Sequence, residues 1–158
     1  MKPPRAEAYC LDTSALIAAW DERYPPDHFP RLWDHMANAL TNGDAWVHES
    51  VIDELMKRST DLAKWLKAYP SAIIPFELGI QRKSSELLSR YQRLVMEHKA
   101  AYAADTFVIA TAIERGFTVV TEESQGTAAK PKIPYVCQAE GRPCVRLLDM
   151  IRANGWVV

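Results

Sequence analysis

The sequence predicts an α/β protein in three layers, with helices on both faces of a central, mostly parallel sheet. Short apolar runs at Ala8–Leu11, Ala45–His48 and Phe117–Thr121 alternate with stretches of helical periodicity, the pattern of strands joined by crossover helices. Ala8–Leu11 and Phe117–Thr121 read as fully buried strands, the second β-branched in four of its five positions. A chain of 158 residues can bury roughly 68–70% of its unfolded surface in one core. One domain over residues 1–158 is therefore expected, with a basic tail at 1–7 and a C-terminal helix and tail at 148–158.

The elements follow in order. Ala8 to Leu11 is the first strand, and Ser14 to Trp20 the helix after it. Asp21 to Pro30 is a loop, punctuated by Pro25, Pro26 and Pro30. Leu32, Met36, Ala39 and Leu40 recur at helical spacing through Arg31–Thr41, and Asn42-Gly43 ends that helix. A strand at Ala45–His48 leads into a helix at Val51–Arg58, where Ser50 and Asp53 have the spacing of a capping box. Asp61–Tyr69 is amphipathic, and Ile73–Phe76 is extended. Glu77 to Ala104 reads as one helical stretch carrying Arg82, Lys83, Arg90, Arg93 and Lys99. Thr106–Arg115 is a central helix stopped by Gly116, followed by the strand Phe117–Thr121 and a loop at Gly126–Lys132. The short segments Ile133–Val136 and Arg142–Leu147 precede a C-terminal helix at Leu148–Ala153.

Composition excludes several classes. No apolar run approaches the roughly 18 residues that span a bilayer, and the N-terminal segment has no hydrophobic region of the signal-peptide kind. The expected address is the cytoplasm, with no membrane partner. Three cysteines, Cys10, Cys137 and Cys144, fit no zinc pattern and read as reduced thiols. A net charge of −1 gives no overall attraction to nucleic acid, so any such interface must be a local basic patch.

Four acids stand where strands end or helices begin: Asp12, Glu54, Asp105 and Glu123. In a parallel sheet those junctions gather at the carboxyl edge, where ligands bind. Carboxylates packed there repel one another unless a cation sits between them. Oxygen ligands of this kind suit Mg²⁺ or Mn²⁺. Each acid also has a structural explanation, as a helix cap, a dipole partner or a turn residue.

The residues around these acids carry a family resemblance. Tyr9-Cys-Leu-Asp12-Thr-Ser-Ala-Leu16, Ser50-Val-Ile-Asp-Glu54-Leu55, Ala104-Asp105-Thr-Phe-Val-Ile-Ala-Thr-Ala112 and Val119-Val-Thr121-Glu-Glu123 resemble the four successive motifs of PIN-domain nucleases. The first and third are fairly specific and the second is weak. The fourth departs from the family, which has Thr-x-Asp where this chain has Thr121-x-Glu123. Glu122 is the alternative ligand there; alternation along a strand favours Glu123, since Glu122 points to the other face.

The resemblance implies a metal-dependent endoribonuclease that cleaves single-stranded or structured RNA. Asp12, Glu54, Asp105 and Glu123 would hold Mg²⁺ or Mn²⁺, and Thr13, Ser14 and Thr121 would position water or phosphate. Small PIN proteins of this size look like the toxin of a toxin–antitoxin pair, which makes a cognate antitoxin and a second copy of the chain the expected partners. For RNA, Arg90, Arg93 and Lys99 lead toward Asp105, while Lys57 and Arg58 flank Glu54. Two other readings compete. A phosphatase of the haloacid-dehalogenase type needs Asp-x-Asp where this chain has Asp12-Thr13-Ser14. A non-catalytic PIN-fold protein-binding module fits the neutral charge and the Glu at 123.

Overall fold

A computed structural model describes residues 8–92 and 103–158. Five parallel strands form the central sheet: β1 (Tyr9–Leu11), β2 (Ala45–His48), β3 (Ile73–Ile74), β4 (Thr118–Val120) and β5 (Cys144–Val145), in the order β3-β2-β1-β4-β5. β1 is central and buried in all three residues, with Cys10 opposite Val119 and Leu11 opposite Val120. The chain goes one way from β1 to β2 and β3, then returns to the other side of β1 as β4. The carboxyl ends of β1 and β4 therefore flank a topological switch point, where a crevice opens in such sheets.

The helices are α1 (Thr13–Ile17), α2 (Pro30–Asn42), α3 (Glu49–Arg58), α4 (Thr60–Lys67), α5 (Leu78–Arg90), α6 (Ala103–Arg115), α7 (Ile133–Ala139) and α8 (Leu147–Ala153). With the parallel sheet they make the three-layer α/β/α architecture that the sequence predicts. Val108, Ile109, Ala110 and Ala112 of α6 are fully buried, which explains why that helix is apolar on nearly every side. It packs on β1, β2 and β4 and against α3 and α5, and so carries Asp105, in its first turn, to the crevice.

Three local expectations are corrected. Helical structure does not stop at Trp20: α1 widens into a π-helical segment, Ala18–Arg23. The edge-to-face stack of Trp20 on Trp33, with centroids 4.8 Å apart, anchors it to the core. The Ser50–Asp53 capping box does not form. His48 caps α3 instead, its Nδ1 accepting from the Ser50 N–H at 3.0 Å, and Asp53 is exposed. Burial holds the His48 imidazole neutral, its pKa pushed down to about 4, so the ring nitrogen keeps the lone pair a cap requires. The ring also lies parallel to Phe107, 5.1 Å away. Lastly, the helical stretch at Glu77–Ala104 breaks after Arg90, where Tyr91 leaves helical geometry. Ile133, which begins only a short apolar segment in the sequence, opens helix α7.

Candidate metal centre

Asp12 follows the last residue of β1 and caps α1 through its own side chain. Its backbone N–H bonds to the Val120 carbonyl at 2.9 Å, which locks the end of β1 to β4. Around the carboxylate the bonding is one-sided. Oδ2 accepts from the Ser14 hydroxyl (2.6 Å), the Thr121 hydroxyl (2.9 Å) and the Ser14 N–H (3.3 Å). The two hydroxyls in turn accept the backbone N–H groups of Glu122 (3.0 Å) and Glu123 (3.2 Å). Each hydroxyl has one proton, and with a lone pair occupied by an N–H that proton is aimed at Asp12. Oδ2 is thus saturated, whereas Oδ1 is buried with no hydrogen-bond partner. A buried, unpartnered carboxylate oxygen is a costly feature.

A cavity of about 230 Å³ is lined by Asp12, Thr13, Ser14, Glu54, Asp105, Glu123, Ser124, Arg58 and Lys132. All four acids singled out from the sequence therefore meet at one place, brought there by β1, α3, α6 and the segment after β4. Glu54 is held at both oxygens, by the Thr13 hydroxyl (3.0 Å) and by Arg58 Nη1 (3.0 Å). Glu123 accepts the Ile133 N–H at 3.0 Å, using the first free N–H of α7. Glu122 faces away from the cavity. It accepts the Leu147 N–H (3.2 Å) and pairs with Arg23 (3.0 Å) and Arg146 (3.6 Å).

Electrostatics follow from burial and crowding. Burial, then the charges of Asp12, Glu123 and Glu54, push the Asp105 carboxyl well above the usual range. Glu123 is raised by burial and by Asp12, and Lys132 and the Ile133 N–H offset this only partly. Asp105 and Glu123 act on each other in opposite directions, raising Asp105 and lowering Glu123, so that Asp105 is the one to hold a proton. Burial also raises Asp12 and Glu54. Excess negative charge is thus partly relieved by protonation, the response of clustered carboxylates to their own repulsion.

The donor set suits a hard divalent cation: carboxylate oxygens, an orphaned Asp12 Oδ1 and, among the described residues of the cavity wall, no imidazole or thiolate. Among the described residues no three side chains stand in the geometry of a formed metal shell. Asp105 is instead drawn to Glu123, and Glu54 to Arg58 and Thr13. To grip an ion together the acids would have to turn inward.

Of the other residues singled out, Thr13, Ser14 and Thr121 bond to the acids themselves. Arg90 is engaged with Glu140 and Glu86, and Arg93 and Lys99 lie outside the described residues. Sequence reasoning missed Lys132 and Ser124. The one local signal was Gly126, whose φ is 77° and whose added Cβ would meet the Lys132 nitrogen at 2.5 Å. Only glycine lets the loop fold back tightly enough to bring Lys132 to the cavity.

Among solved structures, the chain is similar to VapBC2 from Rickettsia felis bound to a DNA fragment from their promoter: TM-score 0.53, 16% identity, 88% of this chain and 98% of that one covered. It is similar also to FitAcB from Neisseria gonorrhoeae, with TM-score 0.51, 15% identity and coverage of 87% and 96%. FitAB bound to the IR36 DNA fragment gives 0.50, 16%, 87% and 94%. No curated protein matches the chain. A family model described as a domain of unknown function, DUF4411, matches residues 9–158. The chain belongs to that family, and its fold is the PIN-like fold of the VapC and FitB chains.

Proposed function

We propose that this protein is a Mg²⁺- or Mn²⁺-dependent endoribonuclease, acting on single-stranded or structured RNA, and the toxin half of a toxin–antitoxin pair. The observation that carries the reading is the convergence of Asp12, Glu54, Asp105 and Glu123 on one cavity, against a buried Asp12 oxygen with no partner. Those four residues would hold the ion. A divalent cation in such a site polarises the phosphodiester, activates a water and stabilises the leaving oxygen. Ser14 and Thr121 keep Asp12 Oδ2 fixed, so that the carboxylate holds one orientation at the cavity wall. Thr13 does the same for Glu54. Burial of Asp12 and Asp105 removes competing water and strengthens each charge interaction there.

Similarity to VapBC2 and FitAB, both solved on DNA fragments, supports an antitoxin partner. Among the described residues no helix is long and apolar enough to cross a membrane. The second reading, a non-catalytic protein-binding module, is favoured by the near-neutral net charge and the longer Glu at position 123.

The deciding experiment is RNA cleavage by wild type, Asp12→Asn and Asp105→Asn. The amide introduced by Asp12→Asn can still accept at the place of Oδ2. The fold should therefore survive while cleavage falls at least a hundredfold, on the order of 3 kcal/mol of lost transition-state stabilisation. Water attack needs no 2′-hydroxyl, so products should carry 5′-phosphate and 3′-hydroxyl ends. Cyclic 2′,3′-phosphate ends would exclude the mechanism, and metal binding without cleavage would favour the binding module.

A further inference from the structure

Among the described residues two cationic side chains line the acidic cavity, Arg58 and Lys132, and they reach it from different walls. Arg58 comes from the last turn of α3, where it bonds Glu54 Oε1 at 3.0 Å. Lys132 comes from the loop that Gly126 folds back, at the N-terminus of α7 beside Glu123. That loop is braced: Gly126 bridges to Pro131, and the Thr127 N–H bonds the Lys130 carbonyl at 3.0 Å. Lys132 thus stands on a braced loop, whereas the Arg58 side chain is 54% exposed and tied to the site only through Glu54.

We propose that Arg58 and Lys132 form a two-cation clamp for an RNA phosphate, and that Arg58 is exchangeable: it neutralises Glu54 in the metal-free site and passes to the phosphate when a divalent cation takes Glu54. The inference rests on the ribonuclease reading above and deepens it. An exposed ion pair four residues apart on a helix is weak, so a divalent ion displaces it readily. Glu54 cannot serve guanidinium and metal equally through the same oxygen, because both require its lone pairs. Once released, the guanidinium keeps its charge and its planar fork, which matches two phosphate oxygens. A phosphodiester approaching four acids meets repulsion unless cations stand at the rim, and these two do. Arg90 is poorly placed for the task, since it does not line this cavity.

The exchange gives opposite signs in two binding measurements, neither of them activity. Mn²⁺ affinity is read by calorimetry on wild type and Arg58→Gln. RNA affinity is read by fluorescence anisotropy with a labelled, nuclease-resistant 2′-O-methyl phosphorothioate oligomer in Mn²⁺ at several salt concentrations. Arg58→Gln should bind Mn²⁺ several-fold tighter, because the internal competitor is gone, and bind the oligomer about tenfold more weakly. Arg58→Gln and Lys132→Gln should each reduce the salt slope by about 0.7, one phosphate contact on a single strand. Arg58→Lys should retain the slope. Unchanged or weaker Mn²⁺ binding by Arg58→Gln overturns the exchange, and parallel salt plots for all variants overturn the clamp; in both cases the metal-site reading stands. A wild type that binds neither Mn²⁺ nor the oligomer overturns both readings together.

Discussion

Glu122 and Glu123 are neighbours in sequence and both are withdrawn from solvent, yet the protein treats their charges in opposite ways. Glu122, 7% exposed in its side chain, is met by Arg23, Arg146 and the Leu147 N–H. Its charge is compensated from within, by groups that tie the π-helical segment after α1 to the start of α8. Glu123 turns into a cavity with three other carboxylates, where it is raised by burial and by Asp12. Buried carboxylates with built-in cations are structural. Buried carboxylates facing one another wait for a ligand, because leaving them alone costs stability that an ion restores.

The largest expected effect breaks the comparison if it fails. At a hundredfold excess over its dissociation constant, Mn²⁺ should stabilise the protein by about 2.7 kcal/mol, a rise in melting temperature of roughly 5–10 °C. Glu123→Gln should abolish most of that rise and Glu122→Gln should leave it intact. Equal losses would mean that both glutamates belong to one electrostatic unit. Thermal unfolding with and without Mn²⁺ measures this directly.

A smaller effect sharpens the contrast in sign. Without metal, Glu122→Ala should destabilise by about 1–3 kcal/mol, since it leaves the Leu147 N–H without its acceptor. Arg23 and Arg146 are half exposed or more, so losing their partner adds little. Asp105→Asn should instead stabilise the metal-free protein by about 1 kcal/mol, because a neutral amide removes the cost of holding a carboxyl protonated, or charged, among like charges. Denaturant unfolding in EDTA reads both. Destabilisation by Asp105→Asn would show that its hydrogen bonds outweigh the repulsion.

The smallest effect is in pH. Asp105, Glu123, Asp12 and Glu54 all have folded values raised above the ordinary carboxylate values of 3.8 and 4.5. Their stabilising contribution is full below those values and is lost as pH rises through the elevated folded ones. His48 acts oppositely: its pKa falls from 6.5 to about 4, so its contribution is present above 6.5 and lost as pH falls toward 4. The two nearly overlap in a simple melt. Subtracting the Mn²⁺-free melt from the Mn²⁺ melt isolates the carboxylates, and the stabilisation by metal should grow as pH rises from about 4.5 toward neutrality. A difference independent of pH would mean that the acids are already ionised without metal.

Much of the fold is legible in single segments. Apolar β1 and β4, the Gly43 stop of α2 with φ 78° and the Gly116 stop of α6 with φ 72° all rest on local chemistry. The break after Arg90 and the His48 cap do not. A histidine caps a helix only when neutral and correctly turned, and burial beside Phe107 and Phe76 supplies both conditions. Ser50 with Asp53 has the better local pattern and loses to that packing.

The sequence by itself marked the strand–helix alternation that brings Asp12, Asp105 and Glu123 to the carboxyl edge of a parallel sheet, while Glu54 stands in the second turn of α3 and not at its start. Chain connectivity and backbone periodicity act over a few residues and leave their mark in each segment. Only the tertiary structure decided how charge is balanced there. Pairing Leu11 with Val120 sets Thr121 beside Asp12, Arg23 and Arg146 converge on Glu122, and the Gly126 loop brings Lys132 to Glu123. Except for Lys132 and Glu123, those partners lie far apart in the chain, and a charge interaction depends on distance in space, which no local pattern encodes.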